Sequence, residues 1–424
     1  MKNRALAAGL VLVVASAVIY WLCDRDFKAG HPDFFYLADA FLHGRTWLLI
    51  TPTFHPGPND IIPVDGRFYV PFGPFPGFFF IPLVAVIGPD TAARWEPVIN
   101  ALLAAADVGL CWWLLGRVGV ERIGDRLWIA ILFGFSTATW WITIRGGVWH
   151  TGQLIAMGLT FLALGECWGR RRGWLVGLLG GAAFLSRAPL AFALPFYGLL
   201  LWDRASERDR ASAPDRASER RPDPDGKVGG TEPLNRRESL PWARWLGLGL
   251  GFGASIAVFF WYNATRFASP FESGYALAVV PPWLAARREL GLFSFVHLGT
   301  NLDYLFWHLP QRIADFPYFR PDGLGMSIFL TSPGLFYAIR ADFRSQRAWW
   351  LAGATVATLV PSLFYYGGGW LQYGYRYALD AVPFAIAMCG LAAARRPMHL
   401  GWKVLIAFGL VINLGGVYWA YHLS

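Results

Sequence analysis

Apolar runs of about 15 to 25 residues recur from Ala5 to Tyr421, each long enough, or nearly so, to cross a ~30 Å hydrocarbon layer. In a chain of 424 residues that is 55% hydrophobic and 15% charged, no single soluble core hides that many of them. The sequence therefore predicts an all-α polytopic membrane protein. Candidate spans lie near 4–23, 95–116, 127–144, 151–168, 174–186, 189–202, 242–265, 325–340, 348–366, 376–394 and 401–421, about 11 transmembrane helices. The stretch 69–88 is apolar enough to add another, but it carries Pro71, Pro74, Pro76 and Pro82.

A formal net charge of +9 invites a nucleic-acid reading, but position matters more than total. Arginines gather at 117–126, 170–172, 204–244 and 340–347, and Arg395, Arg396 and Lys403 cluster near 395–403. These are short loops between spans, so the charge reads as a topology signal and no nucleic-acid partner is expected. All of these loops become cytoplasmic if the helix at 95–116 runs inward. With Lys2 and Arg4 also inside, an even number of crossings must separate the first helix from Arg94, and the simplest even number is zero. Residues 24–94 then form one long external loop whose proline-rich part lies on the membrane or dips in and returns.

The four cysteines, Cys23, Cys111, Cys167 and Cys389, lie in or beside apolar segments without CxxC spacing, and read as core residues. The first apolar run lacks an A-x-A cleavage site near its end and is expected to be a retained helix. The two short spans flanking Arg187 suggest a hairpin with Arg187 at its tip, the alternative being one long kinked helix. Residues 203–240 are a charged, almost apolar-free tract expected to be a disordered cytoplasmic linker. It divides an N-terminal catalytic module, 1–202 with external loop 24–94, from a C-terminal module, 241–424 with external loop 266–324.

Under this topology His31, His43, His55, His150, His297, His308 and His422 fall outside and His399 alone inside, which points to chemistry at one interface. Asp33, after His31–Pro32, starts a pattern with Phe34, Leu37, Ala38, Phe41 and Leu42 on one face, and is a candidate base or a plain helix cap. Asp60 and Asp65 follow in PNDIIPVDGRFY. Asp65–Gly66 is a turn signal, and Arg67 beside it offers a guanidinium fork suited to phosphate oxygens. His150 ends RGGVWH and is either an interfacial residue or a site residue. Arg187, between apolar segments, needs a counter-charge or water. GGGWLQYGYRYALDAVPF brings Gln372, Tyr375 and Arg376 to the outer end of a late helix, with Arg376 and Asp380 spaced for an i,i+4 ion pair.

At these residues the chain resembles the GT-C superfamily of membrane glycosyltransferases, in particular the protein O-mannosyltransferase and lipid A aminoarabinose transferase branch. The resemblance rests on Asp33 early in the first external loop, on DGRFYVPFGPFPG and on GYRYALDAVPF, and it extends over most of the chain apart from 203–240. The family commonly has an Asp-Glu pair where this chain has Asp33–Phe34, so no two-carboxylate metal site carries over and no cofactor is expected. The resemblance implies transfer of a sugar from a polyprenyl-phosphate donor to a lipid, glycan or protein acceptor, at the outer face of a bacterial cytoplasmic (inner) membrane. Asp33 would be catalytic, with Asp65, Arg67, His150, Arg187, Gln372, Tyr375 and Arg376 binding substrate. The rival expectations are a transporter or flippase of a lipid-linked saccharide and an envelope assembly protein with a degenerate pocket.

Overall fold

The computed structural model describes residues 2–24, 31–50, 61–202, 241–369 and 371–422. The expected linker 203–240, together with His55 and Asp60, lies outside the described residues.

Helices α1 (Lys2–Asp24) and α5 (Glu96–Val118) run antiparallel, with Gly9 against Trp112 and Gly109 against Val13. Asp24 and Glu96 consequently meet, close enough to act on each other electrostatically. The intervening chain leaves and re-enters the bundle at the same end, as charge parity requires. It carries α2 (Asp33–Leu42), an antiparallel hairpin of β1 (Ile62–Val64) and β2 (Arg67–Tyr69), then α3 (Phe75–Ile87) and α4 (Pro89–Arg94). Helix α3 contains Pro82 and packs along α2, Phe41 stacking on Phe78 at 4.4 Å and Phe35 lying 4.6 Å from Phe80. Its other face leaves Phe79 and Val86 exposed. The proline-rich stretch thus buries one face on the loop's own helix, which is what a segment lying along a membrane needs.

Helices α6 (Ile123–Phe135) and α7 (Thr139–Arg145) form one path bent by 44°. The bend falls at Ser136–Thr137, where the Thr137 hydroxyl donates back to the Phe133 carbonyl at 2.7 Å. The chain returns through α8 (Val148–Cys167) and rises through α9 (Gly173–Ser186). It then reverses at Arg187 into a 3₁₀ turn, Ala188–Ala193, and α10 (Leu194–Trp202). Arg171, just before α9, donates to the Leu200 carbonyl near the end of α10 at 3.2 Å, and Gly180 faces Tyr197. These contacts make the pair a hairpin and not one kinked helix.

Helix α11 (Pro241–Phe267) lies parallel to α9 through small residues one turn apart. A methyl on Gly177 would stand 2.3 Å from the Leu248 carbonyl oxygen, and one on Gly181 2.2 Å from Ser255 Oγ. Such backbone approach is the usual way for apolar helices to pack when burial alone does not drive them together. The halves on either side of 203–240 are therefore one bundle.

The second long loop holds α12 (Pro282–Glu289), α13 (Leu298–Leu302), a π turn at Asp303–Trp307 and a hairpin of β3 (Gln311–Arg312) and β4 (Phe319–Arg320). Then come α14 (Ile328–Thr331), a 3₁₀ segment Pro333–Arg340, α15 (Gln346–Phe364), a 3₁₀ turn Arg376–Asp380, α16 (Val382–Arg395) and α17 (Leu400–His422). Among the described residues, the arginine-rich loops at 117–126, 170–172, 340–347 and 395–403 gather at one end of the bundle. There Arg122 donates to the Ala393 carbonyl at 3.1 Å, Arg395 pairs with Asp342, and the Asp125 carboxylate accepts from the Met398 amide at 3.3 Å. At the opposite end Tyr421 donates to the Cys23 carbonyl and Arg145 to that of Ala420.

Among the described residues, 5 helices are long and apolar enough to cross a membrane, or 6 counting the bent α6–α7 path. Of the other expected spans, 348–366 forms the 19-residue α15, which is less apolar, and the rest are shorter elements. Gly173–Ser186 and Val382–Arg395 have 14 residues each, a rise of about 21 Å.

Candidate functional site

The start of α8 organises the end of the bundle opposite the arginine-rich loops. Gly146 and Gly147 precede it with φ of 54° and 81°, a left-handed pair that turns the chain sharply out of α7. A helix start exposes amide groups that need acceptors, and here they come from distant parts of the chain. The Gly147 amide donates to Glu96 Oε1 at 3.1 Å, and the Val148 amide to the His31 carbonyl at 2.9 Å. Thr151 Oγ1 stands 3.2 Å from the same Glu96 oxygen and 3.0 Å from Asn100 Oδ1. The His31 ring sits edge-on to Trp149 at 4.5 Å. In this way α5 and α8 fix the residues leading into Asp33.

Asp33 is fully buried and is the first residue of α2. The N-cap is Pro32, with no side-chain cap hydrogen bond, so the carboxylate is not an N-cap of the ordinary kind. Asp33 and Asp24 both lie within electrostatic reach of Glu96, which makes one buried acidic group. Phe34 points elsewhere, into an apolar cluster with Phe72 at 6.4 Å and against Gly152 of α8. Its ring supports α8, and a carboxylate there would be buried among hydrocarbons. Helix α2 is tethered by Tyr36, whose hydroxyl donates to Asp90 at 2.9 Å. Burial first, and then that carboxylate, push this phenol up to about 12.

On the other side of the α8 start lie the cations. Arg187 leaves the end of α9 and grips Asp380 with two contacts, Nε to Oδ1 at 3.1 Å and Nη2 to Oδ2 at 3.0 Å. The sequence spacing suggested an i,i+4 pair of Arg376 and Asp380, but 376–380 is a 3₁₀ turn, with about three residues per turn. Gln153 of α8 joins the group, donating to the Arg376 carbonyl at 2.9 Å and reaching Asp380 Oδ1 at 3.5 Å. The guanidinium carbons of Arg187 and Arg376 lie 5.5 and 5.3 Å from the Tyr377 ring centre, so one aromatic ring serves both. His150, in the first turn of α8 and 4% exposed, hydrogen-bonds the Gly146 carbonyl and feels the charges of Arg376, Arg145 and Arg187.

The structure thus brings His150, Arg187 and Arg376 together, with Asp33 across the α8 start. Gln372 supports the group: its Oε1 accepts from the Arg376 amide at 3.0 Å and its amide nitrogen donates to the Leu324 and Gly368 carbonyls. Tyr375 is an anchor, donating to the Ser362 carbonyl at 3.2 Å, with its phenol raised by burial. Asp65 and Arg67 are not brought into this group. They occupy the exposed β1–β2 turn, where Asp65 has φ 49° and Arg67 stacks 4.1 Å over Trp47. Glu96, Asn100, Thr151, Gln153 and Arg145 escaped the sequence reading. Glu96 had one local signal, an acid next to a proline at a helix start, although Pro97 follows Glu96 whereas Pro32 precedes Asp33. Among the described residues no group of three His, Cys, Asp or Glu side chains is arranged to hold a metal ion.

Fold and site together define a helical membrane protein with buried acids and clustered arginines at one end. No protein-family model matches the chain, and no curated protein does. Among solved structures it is similar to an oligosaccharyltransferase from Archaeoglobus fulgidus in the apo form, at 15% identity and a TM-score of 0.46. The match covers 98% of this chain and 55% of that one, so the chain spans about half the length of the structure it matches.

Proposed function

We propose that this protein is a GT-C-type glycosyltransferase that moves a sugar from a polyprenyl-phosphate carrier to an acceptor hydroxyl. The reaction would take place at the outer face of a bacterial cytoplasmic membrane. The observation that carries this reading is the grouping of side chains about the start of α8, with the carboxyl groups of Asp33, Asp24 and Glu96 on one side and the guanidinium groups of Arg187 and Arg376 on the other. Transfer from a lipid phosphate needs a base for the incoming hydroxyl and cations for the departing phosphate, a short distance apart.

In this mechanism the acceptor oxygen attacks the anomeric carbon while the bond from that carbon to the phosphate oxygen breaks. Asp33 takes the hydroxyl proton, a contribution of roughly 10² to 10⁴ in rate. Arg376 and Arg187 meet the negative charge that develops on the phosphate. A guanidinium already held in place by Asp380 and Tyr377 has little reorganisation left to undergo. The arginine-rich end of the bundle would face the cytoplasm, and α3 with the neighbouring helices would hold the prenyl chain.

A second reading, a transporter or flippase of the same lipid-linked saccharide, draws on Asp107. This carboxyl is buried midway along α5, where ionisable groups commonly mark transport paths. The two readings separate in proteoliposomes supplied with polyprenyl-phosphate mannose or polyprenyl-phosphate aminoarabinose and membrane acceptors. A transferase releases free polyprenyl phosphate in step with acceptor glycosylation. Movement of intact donor between leaflets without that release would refute the transferase.

A further inference from the structure

The loop 268–322 turns part of its charge inward while leaving large aromatic rings outside. Two of its four arginines turn inward onto backbone oxygens: Arg287 donates to the Tyr366 carbonyl at 2.9 Å and Arg288 to that of Ala278 at 2.6 Å. His308 lies between two carboxylates, 3.0 Å from Asp303 and 3.1 Å from Asp322. The rings point the other way. Phe271 is 80% exposed, Phe295 81% and Phe316 71%.

Each of these three rings also sits on an aromatic ring of a different bundle helix, near the site end. Phe271 folds back along α11 to lie 5.4 Å from Phe260, Phe295 lies 5.0 Å from Phe364 at the end of α15, and Phe316 lies 6.1 Å from Tyr418 in α17. Helices α11 and α17 are among the long apolar spans, and beyond these contacts their outward faces continue as exposed hydrocarbon, such as Leu250, Val411 and Leu414. Exposed aromatic rings that continue a lipid-facing surface belong at the boundary between headgroups and acyl chains. Beside Phe316, exposed Arg312 and Arg320 supply cations where lipid phosphates would lie.

We propose that loop 268–322 is a membrane-interface element, with Phe271, Phe295 and Phe316 inserted at three points around the bundle into the leaflet at the site end. The loop then sets the depth at which the bundle floats. Phe364 is followed directly by Tyr365, whose ring stands 6.2 Å from that of Tyr377 beside Arg187 and Arg376. The inserted rings and the arginine group are thereby held in fixed register.

The test is site-directed spin labelling in nanodiscs of phosphatidylethanolamine and phosphatidylglycerol. Phe271→Cys, Phe295→Cys and Phe316→Cys are each labelled, with Asp65→Cys at the exposed hairpin turn as the water-facing reference. The parent chain, with buried Cys111, Cys167 and Cys389 and half-buried Cys23, supplies the background to subtract. The expected result at the three phenylalanine positions is a ratio of oxygen to nickel-chelate collisions several-fold above that at Asp65→Cys. Ratios equal to the reference would overturn the proposal, and so would labels shielded from both reagents, which would mean that a protein partner covers the rings.

Discussion

Glu96 is the residue on which most of the local geometry converges, because it accepts from the Gly147 amide and the Thr151 hydroxyl at the turn that carries His150 and meets the His31 carbonyl. Glu96→Ala should leave that amide without an acceptor inside the bundle, a loss of about 1–3 kcal/mol. Glu96→Gln keeps an acceptor oxygen and should recover most of it. Thermal unfolding of the two variants in detergent checks this, and equal melting temperatures would argue against the capping role. Asp33, His150, Arg187 and Arg376 each had a local signal in the sequence, and the structure places them about the start of α8. The roles of Glu96 and Thr151 were not legible in the sequence, because the hydrogen bonds that matter join residues more than fifty positions apart. Asp65–Gly66 drew notice as a turn signal and Arg67 as a guanidinium suited to phosphate; the structure puts both at the exposed β1–β2 turn, away from the group about α8.

Among the elements, the α9–α10 hairpin is closed at its tip by the ion pair of Arg187 with Asp380, whose side chains are 14% and 1% exposed. Arg187→Ala or Asp380→Ala alone should cost about 3–5 kcal/mol by leaving a charge buried without its partner. The Arg187→Met/Asp380→Leu pair should cost markedly less than the sum, and a double-mutant cycle on unfolding reads the difference. A sum that is simply additive would mean the two residues act independently. At the other end of the same helix, Gly177→Leu should prevent α9 from approaching α11, because even a methyl would stand 2.3 Å from the Leu248 carbonyl oxygen. Loss of folded protein on size exclusion is the expected outcome. The hairpin was foreshadowed by two runs too short to span and an arginine between them. The Gly173, Gly177 and Gly181 seam was overlooked because its partner lies beyond residues 203–240, and spacing within one helix does not name its neighbour.

For the whole molecule, the arginine clusters predicted which loops share a side, and among the described residues the structure gathers those at 117–126, 170–172, 340–347 and 395–403 at one end of the bundle. The parity of crossings over 24–94 follows from the same charges, and the meeting of Asp24 with Glu96 satisfies it. The number of spans was less legible. Hydropathy counts apolar residues without showing where prolines and 3₁₀ turns break a helix, so among the described residues 5 or 6 helices long and apolar enough to span, with several other elements, stand where about 11 spans were expected. The proposed reaction makes Asp33 the base that takes the acceptor proton. It is tested most directly by Asp33→Asn in proteoliposomes carrying polyprenyl-phosphate mannose or polyprenyl-phosphate aminoarabinose and membrane acceptors. Release of free polyprenyl phosphate should fall by roughly 10² to 10⁴ while binding of the donor is retained. Release at the parent rate would contradict the account.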